Sequence, residues 1–302
     1  LLLRSLSLDF PLAMSASTVT SEEVSGPAEE GGTLYQDRRR ANGPEEQNFF
    51  YRVRRGGRED AHSGRLAGWL DLQGGGQGVA LVVRDFWQNY PKSLAWERER
   101  LAVGLWPEGG HFPDFPPGGA SARAHGYYAF EGGRHKTHEV YLRFTGGAEP
   151  RGATKQFAQS VLSPLVAVVP GSWFADSKAL GMMAPADLRL RDPERSEALA
   201  RYEKFQLARV HLAQAESPKV TVNTMRERVA PARGYPEGYY GWMNFGDLAY
   251  GETYSSLHYD WPYGMLLQFV RSGDPAFLDL GREMTLHRMD IDQVHGGKGH
   301  AG

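Results

Sequence analysis

Apolar and polar residues alternate along the first half of the chain, and the period changes in the second half. His138, Val140, Leu142 and Phe144 fall on one face of an extended segment, with Thr137, Glu139, Tyr141 and Arg143 on the other. That alternation predicts a strand in an antiparallel sheet with one buried face. Phe49, Tyr51 and Val53 repeat the pattern, as do Leu101, Val103 and Leu105. Trp69 to Leu72 is a short apolar stretch. Gly78 to Trp87 is a nearly continuous β-branched and aromatic run, set off by the glycines at 74–76, which supply a turn. Leu1 to Ala16 faintly resembles a secretory leader, but Arg4 and Asp9 break its apolar run, and the alternation of Leu6, Leu8 and Phe10 predicts a strand instead. Residues 17–47, rich in Ser, Glu, Gly and Arg, have no periodicity and read as a long loop or insertion. Trp106 to Ala120, rich in Pro and Gly, reads as a second loop. Several strands joined by Gly- and Pro-rich connections predict an antiparallel β-sandwich over 1–170.

Beyond about residue 150 the period moves toward that of a helix. Ala153 to Leu162 predicts a short helix stopped before Pro164. Asp192-Pro193 supplies an N-cap and a first-turn proline for a helix through Leu199, Tyr202, Phe205, Leu207 and Val210 to Gln214. Asp260 can cap a helix carrying Pro262, Met265, Leu266, Phe269 and Val270. Gly273 ends that helix and Asp274-Pro275 opens the next, so the two must run antiparallel. On a wheel of 100° per residue, Phe277, Gly281, Met284, Arg288, Ile291 and His295 share the inward stripe. Leu280, His287 and Asp292 lie at its edges, and Asp290 points away. His295 is thereby expected at the C-terminal end of an inward face, where the helix dipole favours its charged form.

At 302 residues the chain can hold two domains. No apolar run is long enough to cross a bilayer, and a net charge of -2 gives no drive toward nucleic acid or an anionic membrane; neither is expected as a partner. The absence of cysteine excludes disulfides, thiolate catalysis and zinc–thiolate sites. No glycine-rich phosphate loop stands between a strand and a helix. Seven Trp and 14 Tyr favour carbohydrate, because flat rings stack on sugar faces, although they also fill β-cores.

The candidate chemistry gathers in a few segments. Gly238 to Tyr250 is too rich in glycine and aromatics for a helix. Gly241 and Gly246 let it turn, so Tyr239, Tyr240, Trp242, Asn244 and Asp247 form either a sugar-binding rim or a packed aromatic loop. His258, Tyr259, Asp260 and Trp261 are polar and aromatic at once, just ahead of the helical hairpin. On the sandwich, Arg84 and Trp87 end the buried run, where Arg84 could pair with Asp85 and Trp87 could be core. His295 and His300, flanked by glycines near Asp292, make a weak metal pattern, from which no metal ligand is assigned; no cofactor follows from the sequence.

Residues 78–108 (GVALVVRDFWQNYPKSLAWERERLAVGLWPE), 133–144 (GRHKTHEVYLRF) and Pro164 to Ala175 resemble the central sandwich of the exo-rhamnogalacturonan lyase-like family. Residues 239–252 (YYGWMNFGDLAYGE) and 258–295 resemble the start of its α/α toroid. Long ordered blocks carry this resemblance over roughly 60–302. It implies a sandwich at 1–170, followed at 171–302 by the first helices of a truncated toroid, with the family's leading RIFT-barrel domain missing. A closed toroid takes about a dozen helices of roughly 10–15 residues, and the ends of the chain also read as cut.

The family's activity is β-elimination at galacturonate linked to rhamnose, so the resemblance implies a polysaccharide or oligosaccharide partner and a secreted or periplasmic setting. Elimination needs a cationic group for the uronate carboxylate, a base for the C5 proton and an acid for the leaving oxygen. The sequence offers Arg84, Lys136 or Arg288 for the first, His258, His295 or His138 for the second, and Tyr259 or Tyr239 for the third. His258 and Tyr259 are preferred, with His295 as a further catalytic candidate. Arg84, Trp87, Tyr239, Trp242, Asn244, Asp247 and Trp261 are the expected substrate contacts. Two rivals remain open. A glycoside hydrolase would use Asp247 with Asp260 or Asp292, and a non-catalytic glycan-binding module would rely on Trp87 and Trp242.

Overall fold

A computed structural model of the chain describes residues 2–38, 49–109, 127–130, 132–147, 152–186, 192–214, 239–247, 249–250, 253–254 and 260–296. It divides into two compact units, one of Leu1–Gly132 and Lys136–Leu165, the other of Gly133–His135 and Val166–Gly302.

The first unit is a sandwich of two antiparallel sheets. Its strands are β1 (Leu2–Leu3), β2 (Leu6–Pro11), β3 (Thr18–Thr20), β4 (Ser25–Pro27), β5 (Gly32–Arg38), β6 (Phe49–Arg55), β7 (Arg58–Ser63), β8 (Trp69–Gly74), β9 (Gln77–Val83), β10 (Lys92–Glu97), β11 (Arg100–Trp106), β12 (Tyr128–Ala129) and β13 (Val140–Gly146). One sheet runs β2-β11-β10-β5-β6-β7 and the other β13-β9-β8-β3-β4, with β1 and β12 pairing apart. Alternate side chains from both sheets meet in one core. Leu34, Leu94, Trp96, Leu101 and Val103 come from the first sheet, and Val19, Leu70, Leu72, Leu81 and Val83 from the second. Gly75 and Gly76, both at positive φ, close the β8–β9 hairpin; a two-residue turn of that hand matches the twist of its flanking strands.

Strand β9 is buried on both faces because helix α1 (Ala153–Leu162) lies over it, packing Ala158 and Val161 on Trp69 and Val82. This explains why its sequence reads as a continuous apolar run rather than an alternating one.

The leader-like N-terminus is a strand, as its alternation predicts. Two expectations are corrected. Residues 17–47, expected as a loop, hold β3, β4 and all of β5 within the sheets, anchored by the buried Val19, Val24, Ala28 and Leu34. The apolar run from Gly78 leaves the sheet at Val83, and Phe86 turns back into the core.

His138 lies ahead of β13 rather than in it, edge-on to Trp106. Its Nε2 is shut off from water without a hydrogen-bond partner among the described residues. Burial, with Lys92 and Lys136 nearby, holds the imidazole well below its usual pKa, so the folded unit keeps it neutral. Below about pH 6.5 the unfolded chain binds a proton there that the folded chain does not, so stability falls with pH by up to about 1.4 kcal/mol per unit. Urea unfolding at about pH 7 and about pH 5 is expected to show a smaller acid loss in His138→Phe than in the wild type; equal losses would exclude this source of acid sensitivity.

The second unit is mainly helical among the described residues: α2 (Gly171–Ser177), α3 (Pro193–Gln214), α4 (Trp261–Ser272) and α5 (Pro275–His287), with a small hairpin of β14 (Ala249–Tyr250) and β15 (Thr253–Tyr254). Asp192 accepts from the Arg195 amide at the start of α3. The buried face of α3 is polar, however: Ser196, Glu203 and Gln206 are inside, while Tyr202 and Phe205 are exposed.

The α4–α5 hairpin forms as the sequence predicts. Gly273 sits at φ 70 and donates to Phe269 O, and Asp274 accepts from Ala276 N at 2.9 Å. The two helices approach closely because Gly281 has no side chain; a Cβ there would lie 2.7 Å from a Leu266 methyl carbon. Asp260 does not cap α4. It takes a left-handed conformation at φ 48 with no side-chain cap bond, and its carboxylate pairs with Arg288 at 2.9 Å.

Candidate functional site

The aromatic segment and the end of the hairpin meet in one place within the second unit. Gly241 and Gly246, at φ 110 and 92, fold residues 239–247 into successive turns. Gly246 lies directly on α5, where a Cβ would come within 2.2 Å of Glu283 O. This contact tucks Tyr239 and Phe245 into a core with Met265, Phe277, Leu280 and Met284. The Tyr239 hydroxyl donates to Glu283 Oε2 at 2.9 Å. Burial pushes its phenol well above the usual range, with the Glu283 carboxylate adding to the shift.

The open rim read as one alternative from the sequence is therefore a packed turn. Tyr239, Trp242, Asn244 and Asp247 are all buried, because the close approach of Gly246 draws the segment onto the hairpin. Trp261, half-buried, packs on the same core.

The α-helix of α5 stops at His287, and a π turn spans Arg288–Asp292. On a regular helix residues five apart sit about 140° apart around the axis; a π turn, with its i to i+5 bonding, brings them onto one side. Asp292 is thereby placed beside His287. The Nε2 of His287 lies 3.3 Å from Asp247 Oδ2 and 3.3 Å from Asp292 Oδ1, and all three ligand-type atoms fall within 4.8 Å of one another. His287 is only 2% exposed. Neither of its ring nitrogens has an aligned hydrogen-bond partner among the described residues. Burial opposes the imidazolium, but the Asp247 and Asp292 carboxylates outweigh it and raise the pKa to about 9.

The same π turn reverses two sequence expectations. Asp290, expected to point away, is 1% exposed and pairs with His135 Nε2 at 3.0 Å. His295, expected on the inward stripe, lies past the helix and is exposed. It is held by its amide on Gly133 O and by a contact between its Nε2 and Met289 O, with its ring 4.1 Å from that of His135. His258 and Tyr259 lie outside the described residues.

Arg84 and Trp87 belong to the first unit. Arg84 stands 3.6 Å from Glu139, and Trp87 is half-buried with the Arg65 guanidinium over its ring. The sequence reading singled out Asp247 but not His287 as a site residue; the nearest signal was its place, with Asp292, at the edge of the α5 stripe.

No family model matches the chain. It is similar to the uncharacterized protein YetA of Bacillus subtilis (strain 168), 24% identical over 267 residues, which make up 78% of this chain and 28% of that protein. The chain therefore spans less than a third of that relative's length. Among the described residues no helix is long and apolar enough to cross a membrane.

Proposed function

We propose that the chain is part of a polysaccharide lyase that cleaves rhamnogalacturonan or a related uronate-containing glycan by β-elimination, its helical unit being the opening of an α/α toroid. The observation that carries this reading is the position of the Asp–His–Asp cluster, in which Asp247 and His287 are buried and Asp292 is open to solvent. Asp247, His287 and Asp292 all fall inside the two blocks, 239–252 and 258–295, that resemble the lyase-like family's toroid.

In this reading Arg288, next to His287 and paired with Asp260, receives the uronate carboxylate. His258 takes the C5 proton and Tyr259 protonates the leaving O4, the carbon–oxygen bond breaking as the C4–C5 double bond forms. His287 is too deeply buried to meet a sugar and acts as a positioning residue. It holds Asp247 and Asp292, and through the π turn it sets the place of Arg288. The extracellular or periplasmic setting of polymeric substrates belongs to the same proposal.

The test is product chemistry. Full-length protein given rhamnogalacturonan oligosaccharides is expected to generate the ultraviolet absorbance of a 4,5-unsaturated uronate. New reducing ends without that chromophore would assign hydrolysis instead, and binding without turnover would assign a glycan-binding module.

A further inference from the structure

We infer that Asp247, His287 and Asp292 form a binding site for a divalent first-row metal ion of the zinc or manganese type. Three donors from separate parts of the second unit converge there: one from the glycine-hinged turn, one from the last turn of α5 and one from the π turn. The spacing suits a shared ion. Zinc bonds of roughly 2.0–2.2 Å to imidazole nitrogen and carboxylate oxygen place tetrahedral ligand atoms about 3.3–3.6 Å apart; His287 Nε2 stands 3.3 Å from each carboxylate, and the two carboxylates lie within 4.8 Å of each other.

A second observation is independent of that spacing. His287 is 2% exposed, and its Nε2 points between two carboxylates without an aligned hydrogen bond to either. A single N–H shared between two acceptors on either side of it aligns well with neither, whereas one cation can bind all three atoms. Imidazole with two carboxylates is a donor set for zinc or manganese rather than for calcium, which takes oxygen ligands. Asp292 is the most open of the three, its side chain 24% exposed, leaving the ion a side from which water or a ligand can complete its shell. On the lyase reading, the ion would share the uronate carboxylate with Arg288; the ion site itself does not depend on that reading.

The experiment is calorimetric titration of the metal-stripped full chain with Zn2+ as the probe and no glycan present. One ion per chain is expected to bind, and Asp247→Asn and Asp292→Asn are each expected to weaken binding at least about tenfold. His295→Ala, which removes an exposed imidazole near the turn that is not part of the site, is expected to leave affinity unchanged. Circular dichroism without metal checks folding; if Asp247→Asn does not fold, Asp292→Asn at the more exposed position decides. No saturable binding, binding that survives Asp292→Asn, or binding lost in His295→Ala would each overturn the site. Zinc bound as described, with no unsaturated product from the oligosaccharides, would keep the ion and end the lyase reading.

Discussion

Glu203→Ala is expected to destabilise the helical unit by about 3–5 kcal/mol, the range for breaking a buried ion pair by removing one partner. Glu203 and Arg271 are 8% and 7% exposed, with Glu203 Oε1 2.8 Å from Arg271 Nη1. The pair joins α3 to α4. Arg271 is further fixed by the Ala184 carbonyl at 2.7 Å and by Gln268, so it cannot swing into water when its partner goes. A guanidinium left inside without its counter-charge accounts for the loss. The double change Glu203→Leu with Arg271→Met, which removes both charges, should cost less than Glu203→Ala alone. Hydrogen exchange of peptides from α3 and α4 reads this unit apart from the sandwich. Exchange there as slow as in the wild type would show that the pair contributes little.

The second large effect concerns activity. On the lyase proposal, His287→Ala is expected to lower the rate of elimination by about 10²-fold, the cost of misplacing reacting groups by about 1 Å. His287, with its Nε2 3.3 Å from each carboxylate, holds Asp247 and Asp292 together, as the imidazolium when no metal is bound and through the shared ion when one is, and the π turn carrying Arg288 rests on that arrangement. A purely structural role would lower thermal stability and rate together. A positioning role predicts that kcat falls while KM for the oligosaccharide changes little, and that His287→Gln, whose amide still offers an N–H donor to the carboxylates, recovers part of the loss. Equal rates in His287→Ala and wild type would remove the cluster from the chemistry.

What could be read from the sequence was local. The glycine turn at 74–76, the Asp192-Pro193 start and the Gly273-Asp274-Pro275 junction are backbone chemistry within a few residues, and the structure places elements there as expected. Strands β3, β4 and β5 could not be read in the same way. The first two are three residues long, and the burial of Val19 and Leu34 depends on strands distant in sequence. β5 also carries the buried polar residues Gln36 and Asp37, which obscure any alternation. Gln36 is satisfied inside by the Leu66 amide and the Phe50 carbonyl.

At the candidate site, one change of helical register separates expectation from structure. A wheel of constant 100° steps sends Asp290 outward and His295 inward. The π turn buries Asp290, ends the helix before His295 and sets Asp292 beside His287. Likewise, α3 has an apolar rhythm in Tyr202 and Phe205, yet it buries Glu203 because Arg271 waits on α4. In both places a tertiary partner overrode a local pattern.

The proposed uronate chemistry is placed at the turn where Asp247, His287 and Asp292 meet. A crystal structure of the full-length protein soaked with a rhamnogalacturonan oligosaccharide tests it most directly. The expected complex has a galacturonate whose carboxylate lies against Arg288, with C5 facing His258. A sugar bound instead only along Trp87 of the sandwich, with the Asp247–His287–Asp292 cluster untouched, would contradict it.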